Sequence, residues 1–79
     1  MNMTPEQFVA EWNPNATDYN VGGFNKIRER QDRLIVGLLR MPEQERAVFV
    51  QQVSTLFVNG HNPMQAENLH MRLVNRKAG

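Results

Sequence analysis

The chain has 79 residues, 41% of them hydrophobic, no cysteine and a formal net charge of +1. That length holds a single domain, residues 1–79, and excludes a two-lobed enzyme. The lack of cysteine excludes a disulfide framework, a thiolate zinc site, an iron–sulfur cluster and a thiol nucleophile, and favours the cytoplasm over secretion. No apolar run approaches the roughly 18 residues that span a bilayer, and Met1 to Trp12 lack the basic and apolar regions of a signal peptide, so no membrane contact is expected. A chain this small is near the limit at which a core alone suffices, which leaves a homodimer open.

Four helical segments are readable in chain order. Thr4 is a good N-cap, Pro5 fits the first helical position and Gln7 completes a capping box. Phe8, Val9 and Trp12 share a face, and Pro14 restricts Asn13, so this first helix ends near Trp12. Residues 13–23 read as a loop rich in Asn, Asp, Pro and Gly. A loop so long in so small a chain either packs through Tyr19 and Val21 or binds something.

The second helix is predicted from Phe24 to Met41. Phe24, Ile27, Leu34, Leu38 and Met41 form a 3-4-3-4 seam with Gln31 as its one polar member, widened by Ile35 and Leu39. The Gln31 position suits a helix pair of specified register, within the chain or across a dimer. Arg28 with Asp32 and Glu29 with Arg33 are spaced as i, i+4 ion pairs. Pro42, Glu43 and Glu45 open a third helix running to about Val58, with Phe49, Val50, Val53, Leu56 and Phe57 on its apolar face. A strand from Ala47 to Val53 is the competing reading, but the Gln51-Gln52 pair breaks a two-residue period and fits 3.6. Gly60 is placed at C′, just past the helix end, where a left-handed backbone is common. Asn62-Pro63-x-Gln65 repeats the first cap signature and starts a fourth helix to about Arg76, with Met64, Leu69, Met71, Leu73 and Val74 over a wide apolar arc. The expected fold is all-α, a compact bundle of one short N-terminal helix and three longer ones, with the long loop between the first two.

Among chemical motifs, Asp18-x-Asn20-x-Gly22-Gly23-x5-Glu29 has the spacing of an EF-hand calcium loop. Gly22 supplies no oxygen at the fifth position, and Lys26, Arg28 and Arg30 crowd the glutamate, so it is read as a turn leading into the second helix. His61 and His70 are nine apart, which one helix face cannot turn into a metal site, and Ser54, Thr55 and Thr17 show no base partner. No enzyme activity, cofactor or metal is expected.

Charge is more informative. Residues 1–20 carry three acids and no base (−3), while residues 21–79 carry nine bases and five acids (+4). Lys26, Arg30, Arg33 and Arg40 fall in an arc of about 80° on the second helix, with Gly37 inside the same arc as a gap. Arg72, Arg76 and Lys77 add to the basic side. A helix-turn-helix across Leu56–Leu69 would present Met64, Gln65 and Asn68 to base edges, though Leu56 is large where the motif wants a small residue. Trp12 and Tyr19 lie in the acidic head as interface aromatics, with packing in the core as the alternative for Trp12. The functional expectation is a small non-catalytic protein-binding regulatory or accessory module, an adaptor or inhibitor of bacterial or phage type. The alternative is a DNA- or RNA-binding protein. In either case Lys26, Arg30, Arg33, Arg40, Arg72 and Arg76 are the candidate contact residues.

Overall fold

The computed structural model describes residues 2–13 and 23–78. These form four helices, α1 (Pro5–Trp12), α2 (Gly23–Leu39), α3 (Glu43–Asn59) and α4 (Pro63–Ala78), and contain no strand. The all-α expectation holds, and the competing strand at 47–53 is helix. The long loop expected over 13–23 lies, apart from its two ends, outside the described residues, as do Asp18, Asn20 and Gly22 of the calcium-loop spacing. No helix among the described residues is long and apolar enough to cross a membrane.

α1 starts on a complete capping box. The Gln7 amide donates to Thr4 Oγ1 at 3.1 Å, and the Thr4 amide donates to Gln7 Oε1 at 2.9 Å. An isolated helix of 8 residues does not persist in water, so α1 exists because of what it docks on. Phe8 and Trp12 are fully buried, stacked on each other at 5.8 Å, and Phe8 meets Phe49 of α3 edge-on at 5.6 Å. Its C-terminal carbonyls have no basic residue of their own helix nearby. Arg30 of α2 donates to Glu11 O and, at 3.2 Å, to Asn13 O, while Gln31 Nε2 donates to Trp12 O at 2.9 Å. A cation and an amide from α2 thus satisfy the negative end of the α1 dipole.

α2 opens at Gly23, whose φ of 59° is the left-handed conformation that glycine adopts without strain. It ends at Leu39, two residues before the expected Met41, because Met41 precedes Pro42 and a residue before proline is pushed out of the α region. Pro42 (φ −54°, ψ 146°) caps α3 rather than starting it. Ile27, Leu34, Ile35 and Leu38 of the predicted seam are buried, but Phe24 stands 78% exposed in the first turn. On α4 only Ala66, Leu69 and Leu73 enter the core; Met64, Met71 and Val74, expected within one wide apolar arc, face outward.

The end of α3 corrects a further expectation. His61, not Gly60, takes the left-handed position with φ 61°, while Gly60 keeps φ −86°. The His61 amide donates to Val58 O at 3.0 Å and the Asn62 amide to Phe57 O at 2.8 Å, the paired bonds of a Schellman ending. Around the core, α1 packs on α3 and α2, α3 packs on α4, and α4 packs on α2, closing a cycle of four helices.

Candidate functional site

Of the six candidate cations, Arg30 and Arg72 are held within the fold, Lys26 stands apart, and three converge. Arg30 is half-buried and holds the end of α1. Arg72 is a core-edge residue. Its guanidinium lies 5.1 Å from the Trp12 ring centroid and donates to Gln31 Oε1 and Asp32 Oδ1. Asp32 therefore pairs across to α4 and not with Arg28 on its own helix, and Glu29 and Arg33 form no ion pair among the described residues. Gln31, the polar member of the seam, donates to Trp12 O and accepts from Arg72, so it registers α1 and α4 on α2 within one chain. Lys26 is exposed, outside the groove described next.

Arg33, Arg40 and Arg76 do come together. With Asp32, Val36 and Gly37 they line one shallow depression of about 430 Å³ between α2 and α4. Arg33, Gly37 and Arg40 are spaced i, i+4, i+7, so they share a face of α2, and seven residues of helix separate the two arginines by about 10 Å along the axis. Arg76 is brought in by the α2–α4 packing. All three arginine side chains are exposed and make no hydrogen bond or ion pair among the described residues. Asp32, the one acid in the lining, is already engaged by Arg72. The depression therefore presents three cations without counter-charge around a residue that has no side chain, an arrangement suited to carboxylates or phosphates.

The aromatic candidates fare differently. Trp12 is a fully buried core residue whose Nε1 donates to Gln65 Oε1 at 2.9 Å, so it offers no exposed ring to a partner. Tyr19 and the side chain of Lys77 lie outside the described residues. The same bond holds Gln65, the best adenine reader of the helix-turn-helix reading, against the core.

One contact was not readable from the sequence. Ser54 Oγ of α3 and His70 Nε2 of α4 are hydrogen-bonded at 3.0 Å, so Ser54 does have an imidazole partner. His70 is exposed, and among the described residues its other ring nitrogen has no orienting acceptor. Ser54 sits mid-helix, where the neighbouring amides are consumed by the helix ladder and cannot stabilise an oxyanion. The pair works as a cross-link between the two helices. Compared with protein-family models, curated proteins and solved structures, the chain finds no significant match.

Proposed function

We propose that the chain is a non-catalytic binding module that recognises an acidic segment of a partner protein in the groove of Arg33, Gly37, Arg40 and Arg76. The observation that carries this reading is the convergence on one depression of three exposed arginines from two helices, unpaired among the described residues. The extent of the cluster favours a peptide over duplex DNA. Two arginines about 10 Å apart and one beside them match a short run of carboxylates, whereas duplex binders typically neutralise 6–10 phosphates along a track. With Arg30 and Arg72 held internally, the basic ridge on α2 is too short to supply such a track.

The test is fluorescence anisotropy with a labelled Asp/Glu-rich peptide and, separately, a mixed-sequence DNA duplex. Peptide binding is expected to weaken with salt, to fall at least tenfold in an Arg33→Glu/Arg40→Glu variant and to be unchanged in Lys26→Glu. Salt-steep binding of the duplex through the same arginines, with none of the peptide, would overturn the protein reading in favour of nucleic acid.

A further inference from the structure

The arginine groove has one acid in its lining, Asp32, and the cation that offsets it comes from outside. Arg72 is not part of that lining. It borders a separate depression with Phe24, Ile27, Arg28 and Gln31. Arg72 and Arg76 stand four residues apart on α4 and so share a face, the first ending on Asp32 and the second in the groove. Two contacts fix where the Arg72 guanidinium ends. It lies over the Trp12 ring, 5.1 Å from the centroid, and it donates to Gln31 Oε1. Both depend on α1. Trp12 belongs to that helix, and Gln31 is itself oriented by donating to Trp12 O at 2.9 Å. An unbroken series of contacts runs from the docked N-terminal helix through Arg72 to a carboxylate in the groove.

We propose that Arg72 is a positioning residue that sets the groove's affinity for acidic segments by holding Asp32 off the three arginines, an inference that rests on the acidic-segment reading above. A carboxylate accepts from a guanidinium in the same geometry that a ligand carboxylate uses. Released from Arg72, Asp32 competes with the ligand for the groove arginines. Where it pairs with none of them, it repels the incoming acid, and two unit charges about 4 Å apart in water weaken binding about fivefold. Held by Arg72, it does neither. The groove thus offers the ligand three cations with Arg72 in place and a net charge of two without it. Because α1 supplies the ring and the carbonyl that orient Arg72 and Gln31, ligand binding and docking of the N-terminal helix favour each other.

Anisotropy with the labelled Asp/Glu-rich peptide, on a double-mutant cycle of Arg72→Gln and Asp32→Asn, tests this, with circular dichroism of each variant to verify its helical fold. Arg72→Gln is expected to weaken peptide binding about three- to fivefold. Asp32→Asn is expected to change binding less than about twofold in the parent, yet to recover the parent affinity in the Arg72→Gln background. Arg72→Lys, the milder change, keeps a cation beside Asp32 and loses the planar fork. It is expected to bind within about twofold of the parent despite a lowered Tm, whereas a purely structural residue would lower both together. Equal effects of Asp32→Asn in the two backgrounds reduce the pair to plain net charge and overturn the proposal. So does an Arg72→Gln variant that binds like the parent, the outcome if Arg28 takes over the carboxylate, or an Arg72→Lys variant that binds about threefold or more weakly. In each of these the parent still binds the peptide and the acidic-segment reading stands. A parent that binds no peptide overturns that reading and this inference with it.

Discussion

Arg72 is the residue whose removal most sharply tests how this bundle is held. Its side chain is 25% exposed, lies over the Trp12 ring, and donates to Gln31 and Asp32. Arg72→Ala deletes all three contacts. The ring contact is worth about 1 kcal/mol in a partly desolvated position. The charged donor to Gln31 adds about 1.5 kcal/mol, and its loss leaves the Gln31 oxygen short of a partner. The Asp32 carboxylate side is 48% exposed, so the ion pair itself contributes at most about 0.5 kcal/mol after screening. The sum is about 2–3 kcal/mol, or roughly 10–20 °C in Tm for a domain of this size. Thermal unfolding followed by circular dichroism, with urea titration for the free energy, measures it. Two variants separate the planar fork from the charge. Arg72→Lys keeps the charge but not the bidentate stacked geometry, and is expected to lose more than half of the stabilisation. Asp32→Asn is expected to cost under about 1 kcal/mol. If Arg72→Lys matches the parent, or if Asp32→Asn costs as much as Arg72→Ala, the assignment to ring and fork is refuted.

Two further substitutions probe the helix ends. His61→Gly relieves a side chain at φ 61°, where an L-residue is strained by about 1–2 kcal/mol, against up to about 1 kcal/mol of added unfolded-state entropy. A net gain of about 0.5–1 kcal/mol in urea unfolding is expected, and a loss would show that the His61 side chain is itself holding the turn. Thr4→Ala removes the side-chain half of the capping box and is expected to cost about 1 kcal/mol, read as a lowered Tm. An unchanged Tm would mean that α1 is held by Phe8 and Trp12 alone.

The parts of this fold that follow from neighbours in sequence were legible. Thr4, Pro5, Gln7 and the Asn13-Pro14 step mark α1 to the residue, and the period of Ile27, Leu34, Ile35 and Leu38 marks the buried side of α2. What could not be read are the choices made between helices. The i, i+4 rule aims Asp32 at Arg28, yet it pairs with a residue 40 positions away. A local ion pair on a solvated helix is worth a few tenths of a kcal/mol, so a site beside Trp12 easily outcompetes it. The candidate groove was half legible: Arg33, Gly37 and Arg40 share an arc of one helix, but Arg76 joins them only through packing. The Ser54–His70 bond had no local signal either. At the end of α3, Gly60 attracts the expectation of a left-handed residue that the backbone then places at His61.

The satisfaction of α1 by its neighbours has a spectroscopic consequence. Trp12 is the only tryptophan, and its indole bonds to a residue 53 positions along the chain. Its emission therefore reports whether the N-terminal segment has closed onto the rest, whereas far-ultraviolet dichroism is dominated by α2, α3 and α4. Helical hairpins of adjacent segments form readily, while contacts spanning most of the chain carry the larger closure entropy. Stopped-flow refolding with both signals thus measures the formation of secondary structure and the closing of the chain as two separate observables. Coincident traces would mean that the molecule folds as one cooperative unit.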